Sequence, residues 1–229
     1  MPTLHPLWRK ARRVCCERPT PTADYQPSFH FPWLAAIDYP GELAAVIFCQ
    51  GCPWRCRYCH NGHLLPRISS DPALIEWDEI IAFLEQRQGL LDAVVFSGGE
   101  PTLQSALKPA IQQVKALGFK IGLHSAGVYP ERLAELLPLL DWIGLDIKAL
   151  PEDYAALTGV SGSGENAWES LQLLMASGVA YEVRTTVHTK LLSPQKLKKL
   201  QYQLQQTGVA HHQLQPCDTH HALDQRLSA

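Results

Sequence analysis

The sequence predicts an α/β chain folded as an open, partial (β/α)6 barrel, and three observations point there. From Leu43 onward short apolar runs alternate with helix-length amphipathic segments, the pattern of repeated strand–helix units around a parallel sheet. Six such strands are too few to close an eight-stranded barrel. Each polar or glycine-rich oddity in the chain also falls at, or just after, the end of a strand. In parallel α/β folds those strand ends share one face, and active sites lie on it.

The elements follow in order. Ala44–Cys49 is apolar throughout and reads as a buried strand, followed by a helix over Trp77–Gln88. Ala93–Ser97 is the second strand and Leu103–Leu117 its helix, with Gly118 suited to the C-terminal cap. Lys120–His124 precedes a helix over Pro130–Leu139, with Pro130 in the first turn, where its missing N–H costs nothing. Trp142–Ile147 precedes Glu165–Ser177, capped by Gly178. Tyr181–Val187 precedes Pro194–Gln206, with Gly208 beyond it, and His212–Leu214 is the last and weakest strand. The oddities at the strand ends are Cys52–Cys59, Gly98-Gly99-Glu100-Pro101, His124-Ser125-Ala126-Gly127, Asp146-Ile147-Lys148, Arg184 with His188, and Gln215-Pro216.

The 229 residues are enough for one ordinary domain with its own core. A net charge of −2 with interspersed charges gives no basic footprint for nucleic acid. No apolar stretch reaches the roughly 18–20 residues of a membrane span. Four of the seven cysteines fall between Cys49 and Cys59, which is unlike a disulfide framework and suits a reducing cytoplasm. Residues 1–30 read as a loosely ordered extension: Arg9, Lys10, Arg12, Arg13 and Arg18 precede a Pro/Thr-rich run, with no signal-peptide core. Cys15 and Cys16 there are read as non-ligands. Residues 31–216 form the working domain. Residues 217–229 are a tail, and Cys217, His220 and His221 in it do not make a metal site. The tail is expected to be solvated, with Leu223–Ala229 unanchored.

Cys52, Cys56 and Cys59 form C-x3-C-x2-C on a loop directly after the first strand. Three thiolates so placed hold three irons of a [4Fe–4S] cluster and leave the fourth without a protein ligand. Clusters used only for electron transfer normally have every iron ligated, so an open iron points to a small molecule bound there. Cys49 extends the string to two C-x2-C pairs, but structural zinc sites separate their pairs by a dozen or more residues. Cys49 is therefore read as the end of the strand, pointing into the core or lining the site.

The spacing, with Tyr58 between the last two cysteines, resembles the radical S-adenosylmethionine (SAM) superfamily. The wider string is Asp38-Tyr39-Pro40-Gly41, Phe48-Cys49-Gln50-Gly51-Cys52-Pro53 and Cys59-His60-Asn61. It resembles the activating enzymes of glycyl-radical enzymes, and most of all the longer form of the anaerobic ribonucleoside-triphosphate reductase activating protein. The likeness runs from about Ile37 to about Pro216.

The resemblance implies roles for the other strand-end motifs. Gly98-Gly99-Glu100 matches the motif that holds the methionine amino group of SAM; alone, Gly-Gly also makes an ordinary turn. Tyr58 and His60 lie where the adenine is expected, or are simply packed beside a strand end. Asp146 and Lys148 match a D-x-K element, share a strand face, and place Lys148 against the SAM carboxylate, or else form a salt bridge. Arg184 occupies a SAM-contacting position or a structural ion pair. His124 departs from the acidic residue with which pyruvate formate-lyase activators hold a monovalent cation.

The chemistry implied is reductive cleavage of SAM to a 5′-deoxyadenosyl radical, which takes a hydrogen atom from a glycine of a partner enzyme. No catalytic residue beyond the cluster and SAM is required. The partners implied are a glycyl-radical enzyme, foremost an anaerobic ribonucleotide reductase, and a reductant such as flavodoxin or ferredoxin. The alternatives are activation of another glycyl-radical enzyme of the pyruvate formate-lyase type, a small-molecule radical SAM reaction, or a non-enzymatic Fe–S or zinc relay domain.

Overall fold

The computed structural model describes residues 29–35, 38–68 and 74–228. The basic segment with Cys15 and Cys16 lies outside the described residues. Six parallel strands carry the fold: β2 (Ala44–Cys49), β4 (Ala93–Gly98), β5 (Lys120–Ser125), β6 (Trp142–Asp146), β7 (Ala180–Val187) and β8 (His212–Pro216). They lie side by side in chain order. Two further strands, β1 (Phe29–Ala35) and β3 (Leu74–Ile75), extend the β2 edge, with β1 antiparallel to both β2 and β3. The sheet therefore runs from β3 to β8 as an open row, and the expected open (β/α)6 architecture is present.

The helices are α1 (Trp77–Glu85), α2 (Leu107–Ala116), α3 (Pro130–Leu136), α4 (Tyr154–Thr158), α5 (Ser163–Ser177) and α6 (Pro194–Gln206). α5 starts two residues earlier than expected, at Ser163, and three others differ for local reasons. The second helix starts at Leu107 rather than Leu103, which puts Pro109 in the first turn, where no intrahelical N–H bond is lost. Ahead of it, Glu100 caps a short 3-10 turn by accepting the Thr102 N–H. The third helix stops at Leu136 because Pro138 cannot donate to the preceding turn, and Leu137–Leu139 tighten into 3-10 form. The first ends at Glu85, ahead of Gly89 in the left-handed region.

Strand parity sorts the side chains. Ala45, Ile47, Cys49, Val94, Phe96, Ile121, Leu123, Ile143, Leu145 and Val183 face the helices and join Ile111, Leu133, Leu171 and Leu200 in the main core. Each such fully buried large side chain contributes about 1.5–3 kcal/mol. The opposite face carries a smaller cluster of Tyr39, Ala44, Val46, Ala93, Val95 and Trp142. Cys49, of the two placements open to it, takes the core side and is fully buried. Tyr39 stacks on Trp142 at 5.3 Å, and it fits because Gly122 has no side chain: a Cβ there would stand 3.0 Å from the Tyr39 ring and 2.9 Å from Val95.

The tail corrects an expectation. It is not an unanchored, solvated end, because Ala222 and Leu227 are buried and the backbone of Leu223 and Asp224 bonds to the cysteine loop. Its polar composition hid this, since the anchoring is by backbone groups rather than by an apolar stripe. Among the described residues no helix is long and apolar enough to cross a membrane.

Gly122→Ala should overpack the inner cluster by about 1–3 kcal/mol. The check is the urea midpoint, which should fall at constant m-value while a Gly89→Ala change leaves Tyr39 packing intact.

Candidate functional site

The parallel register aligns the strand ends. Cys49 is opposite Gly98, Ser125 opposite Leu145, Asp146 opposite Arg184, and Val187 opposite Pro216. The expected motifs therefore lie along one edge of the sheet, and the structure resolves them into two linked groups.

The first group joins the cysteine loop to Gly98-Gly99-Glu100. The Gly99 N–H donates to the Cys49 carbonyl and the Glu100 N–H to the Gly51 carbonyl, both at 2.9 Å. This contact is too close for side chains. A Cβ on Gly98, whose φ is +107°, would stand 2.6 Å from the Cys49 nitrogen, and one on Gly99 would stand 2.3 Å from the Gly51 oxygen. The glycines thus let the backbone of the cysteine loop approach. Glu100 is fully buried. Its Oε1 accepts from the Thr102 N–H (3.1 Å) and hydroxyl and from the Ser125 hydroxyl (2.8 Å), while Oε2 accepts from the Ala126 N–H (2.9 Å). Burial raises its pKa, and those hydrogen bonds pull against the rise. Glu100 thereby ties the end of β4 to the end of β5. Oε2, with one donor, keeps acceptor capacity for another.

Cys56 is buried, and Cys52 and Cys59 are half-buried. Burial, then the nearby Glu100 charge, pushes the Cys52 thiol up to about 12, and burial also raises Cys56 against the pull of Lys148. Both thiols are protonated at neutral pH and must release protons on binding a metal. Among the described residues no three His, Cys, Asp or Glu side chains converge on a single ion. Trp54, packed edge-on against Tyr154 at 5.8 Å, roots the loop in the core.

The second group is ionic. Lys148 Nζ lies 3.3 Å from Asp146 Oδ2, and Arg184 binds Asp146 Oδ1 through Nε and Nη2 at 3.1 and 3.0 Å. The side chains of Lys148 and Arg184 are only 8% and 13% exposed, deeper than the carboxylate they share. Desolvation pushes Asp146 up, but Lys148 and Arg184 outweigh it and bring its pKa to about 2. Burial opposes the charge on Lys148, yet Tyr58, Asp146 and Cys56 hold it above the ordinary lysine range. Gly144 makes room for the guanidinium, since a Cβ there would stand 2.9 Å from Arg184 Cζ.

Lys148 also stands 5.5 Å from the centre of the Tyr58 ring. The Tyr58 hydroxyl is buried and has no hydrogen-bond partner among the described residues. That is costly for a polar group unless something else meets it. His60, two residues on, is exposed. The structure thus brings Tyr58, Asp146, Lys148 and Arg184 together and leaves His60 at the surface.

Two further residues complete the site. Tyr154, on the five-residue α4, accepts the Lys148 N–H at 2.8 Å; a helix that short shows no periodicity. His124 lies between Arg184, 3.4 Å away, the Asp38 carbonyl at 2.8 Å from Nε2, and the Ser97 hydroxyl at 3.3 Å from Nδ1. The carbonyl requires a proton on Nε2, so Nδ1 accepts from Ser97, and the Arg184 contact is a charge beside a neutral ring rather than a hydrogen bond. Burial first, and Arg184 second, lower the His124 pKa to about 4.

A sequence profile of the Radical SAM superfamily matches residues 46–194. A Methanocaldococcus jannaschii protein named as a glycyl-radical enzyme activating enzyme is 31% identical over 174 residues, which is 73% of this chain and 70% of that protein. The pyruvate formate-lyase-activating enzyme of Listeria monocytogenes is 32% identical over 145 residues, 57% of this chain and 56% of its own. The structure of Streptococcus suis SuiB bound to S-adenosylmethionine matches at a TM-score of 0.59 and 15% identity, over 78% of this chain and 44% of SuiB. The chain thus spans less than half of that protein, and the likeness is one of fold.

Two outcomes follow from this geometry. Gly99→Ala forces the cysteine loop off β4 at a cost of about 1–3 kcal/mol or more, and iron uptake measured after reconstitution should fall well below that of the parent. The second concerns pH. An unfolded histidine titrates at about 6.5, while folded His124 titrates near 4. Its contribution to stability is therefore complete above pH 6.5 and is lost as pH falls toward 4, where the unfolded chain binds the extra proton. Unfolding free energy plotted against pH should lose up to about one proton of slope in that window in His124→Gln.

Proposed function

The chain belongs to the radical SAM superfamily, and on that premise we propose that it activates a glycyl-radical enzyme, an anaerobic ribonucleoside-triphosphate reductase foremost. The observation that carries the reading is the core-rooted loop of three unpaired thiols set beside a buried cation pair that shares one carboxylate.

Cys52, Cys56 and Cys59 would hold a [4Fe–4S] cluster, and the donor set fits one that keeps an iron open. With SAM bound, the cluster supplies one-electron reductive cleavage that yields a 5′-deoxyadenosyl radical able to take hydrogen from a glycine Cα. The chain's own residues bind and orient. Lys148 and Arg184 present two cations to the single carboxylate of Asp146 at ion-pair distance, which suits them to take a second carboxylate, that of SAM. Glu100 Oε2 and the Gly98–Gly99 backbone are the groups offered to an ammonium. The Tyr58 face and its unpartnered hydroxyl suit contact with the adenosine portion. His60, exposed on the same loop, would stand at the rim.

Two readings of the partner have observations behind them. Neutral His124, set where pyruvate formate-lyase activators carry an acid, supports the reductase subgroup. The relatives named for pyruvate formate-lyase activation support the other. Both call for an external reductant such as flavodoxin or ferredoxin.

The test is anaerobic. The reconstituted, reduced protein should form 5′-deoxyadenosine from SAM, and Cys56→Ala should abolish it. Lys148→Ala should raise the SAM concentration needed for half-maximal cleavage by about tenfold or more, the loss of one charge-assisted contact of roughly 1.5–3 kcal/mol. Incubation with each partner in turn, followed by EPR for a glycyl radical, identifies the substrate. A well-formed cluster with no cleavage would sink the activase reading.

A further inference from the structure

The segment after β8 returns to the cysteine loop, and its contacts there are specific. Cys217 N–H bonds the Val187 carbonyl at 3.0 Å, prolonging the sheet by one step. The chain then crosses to the loop that follows β2. The Leu223 N–H donates to the Cys59 carbonyl at 3.0 Å, and the Asp224 N–H donates to the Arg57 carbonyl at 2.9 Å. Arg57 answers through its side chain, with Nε and Nη2 at 2.9 and 2.7 Å from Asp224 Oδ2. The Asp224 carboxylate, 9% exposed, also accepts from Arg226 N–H, Nε and Nη2. Ala222 and Leu227 are buried on either side, and Lys190 holds the far end by donating to the Arg226 carbonyl at 2.8 Å.

The other edge of the same five residues is held by α4. Arg55 N–H donates to the Thr158 carbonyl at 2.8 Å, and Arg57 N–H to the Leu157 carbonyl at 3.1 Å. The stretch from Arg55 to Cys59 turns at Arg57 and Tyr58, where the Cys59 N–H bonds the Cys56 carbonyl at 2.9 Å, and it lies between two neighbours: the Arg55 and Arg57 N–H groups go to the end of α4, and the Arg57 and Cys59 carbonyls go to the tail. Two of the three thiols, Cys56 and Cys59, lie within it.

We propose that residues 217–228 are a strap that fixes the position of Cys56 and Cys59, and that Asp224 is its positioning residue. Asp224 acts through Arg57 and the loop backbone, and touches neither thiol's chemistry. The strap itself rests on backbone and ion-pair geometry alone; its consequence for iron rests on the reading of this loop as the cluster ligand.

Hydrogen exchange on the metal-free full-length chain tests the strap directly. In Asp224→Ala the amides of residues 55–59, 223 and 224 should exchange faster by about tenfold or more, with those of β4, β5 and β6 unchanged. Asp224→Glu, which keeps the charge, should recover part of the protection. Uniform acceleration across the sheet, or none at the loop, would overturn the proposal. In the reconstituted protein, Asp224→Ala should release iron to a chelator several-fold faster and broaden the EPR signal of the reduced cluster, at an unchanged thermal midpoint. Local exchange changes with normal iron retention would leave a strap that does not position the thiols and would overturn that half. If the parent chain assembles no cluster, the cluster reading of the loop fails, while the exchange experiment still decides the strap.

Discussion

The arrangement hangs on the near-contact between two backbones, the end of β4 and the start of the cysteine loop. At Gly99 a Cβ would fall 2.3 Å from the Gly51 oxygen, so this junction exists only with glycine on the β4 side. Because it closes, Glu100 is carried into the interior, and a buried carboxylate must be met by donors. Thr102, Ser125 and Ala126 supply them, which locks the loop after β5 to the loop after β4. Gln50, fully buried, extends the lock by donating to the His63 and Pro66 carbonyls. One steric condition thus propagates through three successive strand ends.

The charges near the sheet mouth obey a second constraint. A lone buried lysine would lose its proton, a lone buried arginine would stay charged and pull in water, and each is tolerable only with a partner. Asp146 serves both, and removing it would leave two cations facing each other at a cost of about 3–5 kcal/mol. His124 cannot share in that neutralisation. Pinned by Asp38 and Ser97 and pressed by Arg184, it stays neutral, and the group keeps a surplus of positive charge at ion-pair range. A surplus of that sign beside three thiols is a disposition toward anions, and it is set by the strand register that faces Asp146 with Arg184.

Much of this was legible beforehand, and the reasons are physical. Four of the six parallel strands, β2, β4, β5 and β6, are buried along most of their length and so read as apolar runs, and C-x3-C-x2-C is a spacing that few other demands on a chain produce. What stayed hidden has no local signal. Pro32 argues against a strand, yet β1 accommodates it where the register slips by one residue between His30 and Trp33, the bulge being one of the places a sheet tolerates proline. The five residues of α4 are fewer than two turns. The glycine pair was legible as a motif or a turn, but that its near neighbour is the chain's own cysteine loop was not. The Arg57–Asp224 pair spans 167 positions, and no periodicity reports a contact of that range.

The openness of the sheet explains why such a long-range contact is needed. In a closed barrel every loop at the strand ends has a neighbouring loop on each side. Here the parallel run begins at β2, so the cysteine loop has the β4 loop as its one parallel strand-end neighbour, with the end of α4 bonded to Arg55 and Arg57. Antiparallel β1 flanks β2 on its other side, but its direction is reversed, and it brings no strand-end loop to the same face. The segment leaving β8, at the far edge of the row, crosses over to supply the missing neighbour. The open edge of the sheet and the tail that secures the cysteine loop are thus two consequences of one topology. An open sheet leaves this loop without a strand-end neighbour on one side, and the chain supplies one with residues that composition alone marks as dispensable.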